Sequence, residues 1–247
     1  ALRRDLALDA VIVNGENSAP DGFGITEQTA SGLLAVADFL TLGDHAFDQP
    51  SIAAYLDREP RIIRPANFKT APGGRGWGVF TAAGVRVGVG NLLGHIFMRP
   101  EVLPTRATAN QMLAALTEAG AEVILVDMQA EATSEKQSLG WHLAGRVAAV
   151  LGTHTHVPTA DLRILPGGTA YASDVGMTGA RDGIIGFERS GPRPNPAGGP
   201  ALPPLPASGV ARLDAVLLQV DTATGHALSI ERVYREWSEP EDRYPRG

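Results

Sequence analysis

The chain of 247 residues contains no cysteine. Disulfide bonds, zinc sites built on thiolates and catalysis by a cysteine nucleophile are therefore excluded. Any metal site must use histidine rings with carboxylate or amide oxygens. Positive charge is also scarce. The chain has 21 Lys and Arg residues against 27 Asp and Glu residues, which gives a net charge of −6. Binding to duplex nucleic acid requires a broad basic face, so we expect no such partner, whereas a small phosphorylated substrate is compatible with this charge.

Long apolar runs are absent as well. The main apolar stretches, at 10–13 and 123–126, have the length of strands and fall far below the roughly 18 residues of a membrane-spanning helix. Residues 1–9 lack the apolar core of a signal peptide. We therefore expect a cytoplasmic protein without a membrane partner, and homo-oligomers are compatible with its composition.

Glycine and proline are abundant, with 29 and 18 residues. Seven of the prolines lie within residues 190–209. A segment with so few backbone donors and so little to bury is typical of a mobile loop with polyproline II character. We expect residues 1–247 to form a single domain that carries this Pro/Gly-rich loop.

Short apolar runs alternate with amphipathic segments along the rest of the chain. Strands are predicted at 9–14, 39–42, 62–64, 76–81, 85–92, 122–127, 147–151, 163–165, 169–172, 210–220 and 227–234. Helices are predicted at 26–36, 49–56, 108–119 and 134–143, with Thr26 as an N-cap and a capping box of Ser134 and Gln137. This order favours an α/β fold with mixed sheets, and such folds bind ligands past the carboxyl ends of their strands.

Polar side chains follow four of these strands. They are Glu16 and Asn17, Asp44 and His45, Gln129, and finally His154 and His156. If residues 153–156 stay extended, both histidine rings project from the same face. Mixed oxygen and imidazole ligands suit Mn²⁺, Fe²⁺ or Zn²⁺, and two metals bridged by a carboxylate can neutralise a phosphate. An unligated histidine nearby could protonate the leaving oxygen.

The chain resembles the YmdB-type bacterial metallophosphoesterases, described as phosphodiesterases that act on 2′,3′-cyclic nucleotides. The stretches that carry the resemblance are VIVNGENSA (11–19), GFGIT (22–26), LTLGDHAFD (40–48), IIRPANF (62–68), EATSEK (131–136), GWHLAGRVAAVLGTHTHVPTAD (140–161), RILPGGTAY (163–171) and SDVGMTGARDGIIG (173–186). The resemblance spans residues 9–188 and implies a metallophosphoesterase-like α/β sandwich of mixed β-sheets flanked by helices.

The resemblance also implies roles for the polar residues. Divalent metal ions, Fe or Mn, would number one or two per chain. Glu16 would bridge two metals, Asn17 would lie beside the phosphate, His45 would be the general acid, and Asp44, Gln129, His154 and His156 would be metal ligands.

Three departures from the family bear on the metals. The family begins with a strand that ends in Gly-Asp, whose aspartate ligates the first metal, and residues 1–9 contain no counterpart. The family has Asn where Asp44 stands and His where Gln129 stands, and an amide is a weaker ligand than imidazole for these ions. One alternative therefore stays open, a catalytically impaired relative that binds a ligand or partner without turnover. The Gly-x-His-x-His sequence at 152–156 suggests another, a relative in a capsule-synthesis group of similar fold, but the GENSA and EATSEK stretches argue against it. We also interpret Glu131 and Lys136 as a local ion pair.

Overall fold

The computed structural model describes residues 2–197 and 199–238. Its helices are α1 (Leu2–Asp5), α2 (Glu27–Leu34), α3 (Ile52–Arg58), α4 (Thr105–Glu118) and α5 (Thr133–Leu143). Its strands are β1 (Ile12–Asn14), β2 (Phe39–Thr41), β3 (Ile62–Ile63), β4 (Trp77–Ala82), β5 (Val85–Leu93), β6 (Val123–Gln129), β7 (Ala149–Thr153), β8 (Arg163–Leu165), β9 (Thr169–Ala172), β10 (Thr178–Ala180), β11 (Ala211–Asp221) and β12 (His226–Trp237).

These strands form three sheets. Strands β1, β2 and β3 make a small parallel sheet in that order. A mixed sheet of six strands has the order β4-β5-β6-β7-β9-β8, in which β5, β6, β7 and β9 run parallel and β4 and β8 are antiparallel edges. The remaining strands, β10, β11 and β12, form an antiparallel sheet dominated by the long β11–β12 hairpin. The predicted α/β architecture with mixed sheets and flanking helices is therefore confirmed.

The alternation of side chains along β6 explains how the six-stranded sheet is covered. Ile124, Val126 and Met128 belong to the hydrophobic cluster that also contains the buried residues of α4 and α5. Successive strand residues point to opposite faces, and Leu125 accordingly packs into the clusters on the other side of the sheet. Gln129 follows Leu125 at an interval of four residues, so it lies on that same face.

The face that carries Leu125 is covered by the small sheet. Phe39 of β2 and Ile63 of β3 pack there against Val87 and Val89 of β5. On the outer side of the small sheet, α2 and α3 close a second cluster around Leu40. The layers thus run from helices to the small sheet, to the large sheet and to helices again, which is the sandwich that the resemblance implies.

The predicted element boundaries hold within a few residues at most positions. Thr26 is the N-cap of α2, and its side chain accepts a hydrogen bond from the Thr29 amide. The predicted capping box at Ser134 is wrong, because α5 begins one residue earlier with Ala132 as its N-cap and no side-chain cap. The sequence did not predict α1 or β10, which are short.

The Pro/Gly-rich segment 190–209, described except for residue 198, contains no helix and no named strand. It folds back on itself instead, since Arg193 and Leu202 exchange two backbone hydrogen bonds of 2.8 and 2.9 Å. The amides of Glu188 and Ala207 bond to the carbonyls of Leu205 and Gly186, which ties both ends of the segment together. Among the helices described, none has both the length and the apolar character to cross a membrane.

Candidate active site

The carboxyl ends of β1, β2, β6 and β7 meet at the buried carboxylate of Asp127. This carboxylate accepts hydrogen bonds from the side chains of Thr41 (2.5 Å), Thr153 (2.7 Å) and Asn14 (2.9 Å). One residue from each of the four strand ends is thereby joined to the others, across the interface between the small and the large sheet. Burial raises the pKa of Asp127, while the three donors oppose that rise. Asp127 thus links the strand ends that carry the polar cluster.

The polar cluster is centred on the side-chain amide of Gln129, which Glu16, Asp44 and His154 surround. The Nε2 atom of Gln129 donates to Glu16 Oε2 and to Asp44 Oδ1, the latter at 3.0 Å. The same nitrogen lies 3.3 Å from His154 Nδ1, which is itself 3.3 Å from Asp44 Oδ1. The backbone amide of His45 donates to the other oxygen of Glu16 at 2.7 Å. Four of the residues predicted as metal ligands therefore lie in one cluster.

Gly43 gives Gln129 access to this cluster. A Cβ atom at position 43 would overlap the amide of Gln129, so only glycine leaves the space that this side chain fills. The Oε1 atom of Gln129 is buried there and has no hydrogen-bond partner. A buried carbonyl oxygen without a partner is costly unless a donor or a cation reaches it. In this orientation of the amide, the Oε1 atom of Gln129 lacks the donor or cation that a buried carbonyl oxygen requires.

The pKa values of the two carboxyl groups in the cluster are shifted in opposite directions. Burial, reinforced by the charge of Asp44, raises the pKa of Glu16 to about 8. Burial also disfavours the charged form of Asp44, but the hydrogen bond from His154 and the nearby charge of His45 outweigh it and lower the pKa of Asp44. Two acidic groups held this close require either a shared proton or a cation.

His45 is held at the edge of the cluster by a second carboxylate. Its Nδ1 atom lies 2.6 Å from Asp48 Oδ2, and its Nε2 atom lies 3.8 Å from Asp44 Oδ2. The ring packs against Phe23 with a centroid distance of 5.5 Å, and Phe23 in turn stacks on Phe187 at 5.4 Å. The imidazole is buried, and these contacts fix its orientation, which suits a residue that transfers a proton.

The structure corrects the expectation for the His-x-His segment. Strand β7 ends at Thr153, and both His154 and His156 have positive φ values, of 99° and 63°. The segment therefore turns, so the condition under which both rings would project from one face, an extended chain, is not met. The His154 ring enters the cluster, whereas His156 Nδ1 lies 2.9 Å from the carbonyl oxygen of Ile185, outside it.

The contacts locate Asn17 and decide one further expectation, the ion pair of Glu131 and Lys136. Asn17 has a positive φ of 61°, and its Oδ1 atom accepts a hydrogen bond from the Gly24 amide. The predicted ion pair between Glu131 and Lys136 is wrong. Glu131 Oε2 instead lies 3.4 Å from His154 Nε2, and Lys136 pairs with Asp174.

The donors of the cluster fit a divalent cation in their chemistry. Carboxylate, amide and imidazole groups are ligands for Mn²⁺ and Fe²⁺, and the unpartnered Oε1 atom of Gln129 is a further oxygen donor. Within residues 2–197 and 199–238, no three His, Asp or Glu side chains are already arranged around a common metal position. The Nε2 atom of Gln129 occupies the point between the carboxylates. A half-turn of this amide would present oxygen there instead, so the residues fit one cation with Gln129 as a ligand.

Several residues of the site were not found from the sequence. Asp127 was interpreted only as the end of a strand, although a charged residue at the end of so apolar a strand is a signal of a buried polar contact. Asn14, Thr41 and Thr153 carry no such signal, since their role depends on the meeting of separate strand ends. Phe23 lies within a stretch quoted for the family resemblance, but nothing in the sequence places it against His45.

Comparisons with known proteins identify relatives that are similar in sequence and in overall fold. A family model described as YmdB-like protein matches residues 1–233. The 2′,3′-cyclic-nucleotide 2′-phosphodiesterase of Bacillus subtilis is 41% identical over 223 residues, which cover 90% of this chain and 83% of that protein. A hypothetical protein from Thermus thermophilus is 36% identical, with a TM-score of 0.81 over 96% of this chain and 90% of that chain. A phosphatase from Mycoplasma pneumoniae is 28% identical, with a TM-score of 0.83 over 97% and 86% of the respective chains.

Proposed function

Because the chain belongs to the YmdB-like protein family, we propose that it is a metal-dependent phosphodiesterase that hydrolyses phosphate esters, with 2′,3′-cyclic nucleotides as substrates. The observation that carries the proposal is the convergence of Glu16, Asp44 and His154 at one point beside His45. The Bacillus subtilis relative, named for its action on 2′,3′-cyclic nucleotides, supports the class of substrate.

A divalent ion, Fe or Mn, is assigned to Glu16, Asp44, Gln129 and His154. When bound, the ion supplies positive charge that offsets the charge of the phosphate group. His156 is retained as a candidate ligand at the rim, so the number of ions, one or two, belongs to the proposal.

His45 is assigned as the general acid. Asp48 beside Nδ1 fixes the ring and favours a proton on that nitrogen. Nε2, on the opposite side of the ring, acts as the acid when the ring also carries a proton there, and it gives that proton to the departing ribose oxygen. Asn17 accepts the Gly24 amide through Oδ1, which leaves its Nδ2 atom to donate to a phosphate oxygen.

The remaining expectations from the sequence keep their status as predictions. They are a cytoplasmic location, a homo-oligomer and the absence of duplex nucleic acid or a membrane as partner. The alternative of a catalytically impaired relative is not supported by the comparisons, whose relatives are named as a phosphodiesterase and a phosphatase.

The proposal is tested by measuring turnover of 2′,3′-cyclic AMP by the protein loaded with Mn²⁺ or Fe²⁺. We expect His45→Asn to lower kcat by about 10²–10⁴-fold with the metal still bound, because it removes the proton donor. His154→Ala should instead lower the metal content. His142→Ala is the matched control, since that ring lies on α5 and contacts Asn110 rather than the cluster. It should leave both turnover and metal content unchanged. A wild-type protein that binds neither metal and shows no turnover would favour the impaired relative.

A further inference from the structure

A buried ion pair lies behind the turn that carries both histidines of the site. Lys136 Nζ on α5 is 3.0 Å from Asp174 Oδ2, which follows β9. The two side chains are 2% and 0% exposed, so the pair is shielded from solvent. A buried charge pair costs desolvation that its own attraction does not always recover, so a role beyond stability is worth seeking.

The same carboxylate oxygen that accepts from Lys136 also holds the centre of the histidine turn. Asp174 Oδ2 accepts the backbone amide of Thr155 at 3.0 Å and the Thr155 hydroxyl at 2.7 Å. Thr155 is the residue between His154 and His156. Asp174 is therefore bonded, through one oxygen, to the charged end of the Lys136 side chain and to the residue that joins the two histidines.

The backbone on either side of the turn is fixed around the same aspartate. The amide of Val175 donates to the Gly152 carbonyl at 2.9 Å, and the amide of Thr159 donates to the Asp174 carbonyl at 3.1 Å. Packing is close where the turn begins, because a Cβ atom at Gly152 would overlap the Ser173 carbonyl and lie 2.9 Å from Lys136 Cδ. The turn is thus anchored before, between and after the histidines.

This anchoring accounts for the strained backbone at the histidines. Non-glycine residues rarely adopt positive φ, and they do so only where the surroundings over-determine the conformation. Both His154 and His156 have positive φ, and the Thr155 amide between them is the group that Asp174 holds. In this buried position, Asp174 Oδ2 accepts a hydrogen bond from the ammonium group of Lys136 as well as the two from Thr155.

We propose that Lys136 and Asp174 are positioning residues for the reaction: they hold the turn at 152–159 so that the His154 ring enters the cluster while His156 stays at its rim. The proposal rests on the proposed function for its consequence in catalysis. The geometry of the turn itself can be measured without activity.

The test uses Thr155, because its hydroxyl can be removed without a change of shape. Thr155→Val loses the 2.7 Å hydrogen bond to Asp174, and Thr155→Ser keeps it. In Mn²⁺-loaded protein, T155V should lower kcat for 2′,3′-cyclic AMP by about 10-fold or more, with KM changed by less than about threefold. T155S should restore kcat to within about threefold of the wild type. Lys136→Met should reproduce the effect of T155V where it folds.

A second readout separates positioning from plain stability. The ring resonances of His154 and His156, assigned with His→Gln variants, should shift in T155V and return in T155S. Leu139→Ala is the matched control, because Leu139 lies on the same helix but packs into the core beneath α4 and α5. It should lower the thermal midpoint without moving these resonances.

Each outcome bears on the proposal. Wild-type resonances and kcat in T155V, or a T155S variant that is as impaired as T155V, would overturn it. If the wild type shows no hydrolysis, the proposed function fails on its own, while the histidine resonances still decide whether Asp174 holds the turn.

Discussion

Gly43 shapes the site by having no side chain, because the amide of Gln129 fills the space that a Cβ atom would take. Gly43→Ala should therefore expel Gln129 from the cluster or shift strand β2. We expect a loss of about 1–3 kcal/mol in the free energy of unfolding, the usual cost of overpacking. Urea denaturation followed by circular dichroism measures this loss, and the metal content of the same sample should fall as well.

Gly32→Ala is the control for this residue. Gly32 is exposed on α2, and a Cβ atom there would meet nothing within 4 Å. Alanine favours the helix over glycine by roughly 0.5–1 kcal/mol, so this variant should be as stable as the wild type or more so. Equal stability of the G43A and G32A variants would show that Gln129 does not occupy the space above Gly43.

Asp161 connects the end of β9 to the turn that follows β7. Its carboxylate accepts hydrogen bonds from the Ser173 amide (3.0 Å), the Ser173 hydroxyl (2.6 Å) and the Thr159 hydroxyl (2.7 Å). Burial alone would raise the pKa of Asp161, but these bonds outweigh it and hold that pKa below its ordinary value. The ionised form is therefore the one that ties the two elements together.

The lowered pKa predicts how the contribution of Asp161 to the free energy of unfolding depends on pH. A carboxyl whose pKa is lower in the folded state stabilises the fold fully above its unfolded pKa of about 3.9. That contribution is lost as the pH falls through the folded pKa. Asp161→Asn should therefore cost about 1–3 kcal/mol at pH 7, and the difference from the wild type should shrink steadily in acid. Urea midpoints of both proteins between about pH 2.5 and about pH 7, a range that includes that unfolded pKa, measure this difference.

Asp5→Asn serves as the matched control, because Asp5 is exposed and its carboxylate pairs with Arg4 at the surface. Such pairs contribute about 0–1 kcal/mol, so this variant should follow the wild type at every pH. A difference between D161N and the wild type that stays constant down to the lowest pH would contradict the linkage.

The elements themselves show which signals a sequence contains. Strands such as β6 and β9 were predictable, because each is a compact apolar run between turn residues. Strand β10 (Thr178–Ala180) is short and contains glycine, and it exists only because β11 offers it a partner. The turn at His154 was missed for a similar reason. Its conformation is held by Asp174, a residue some twenty positions away whose proximity depends on the register of β7 and β9.

The residues of the site also separate into those that local sequence predicts and those that depend on distant contacts. Glu16, Asp44, Gln129 and His154 were predictable because the carboxyl ends of parallel strands meet at one edge. The hydrogen bonds that Asp127 accepts from Thr41 and Thr153 were not, because they depend on how closely two separate sheets pack. The sequence therefore identifies most of the chemical groups, and the sandwich determines which of them are in contact.

At the scale of the whole molecule, the contact between the two inner sheets decides whether the chain unfolds as one unit. Phe39 of β2 is 1% exposed and stacks on Phe80 of β4 at 5.4 Å. Gly78 leaves room for it, since a Cβ atom there would lie 2.8 Å from the Phe39 ring. The ring therefore fills the space between the sheets at the start of β2.

Phe39→Ala should open a cavity at this contact and lower the free energy of unfolding by about 3–5 kcal/mol. If residues 1–247 form a single domain, as the sequence predicts, the loss must appear in both sheets at once. Far-UV circular dichroism and the fluorescence of Trp77, on β4, should then report one shared transition at a lower urea concentration. Phe97→Ala, at a position that is 87% exposed, should leave the midpoint unchanged. Two separate transitions in F39A would instead mean that the small sheet and the large sheet are independent folding units, held together mainly by the site that they share.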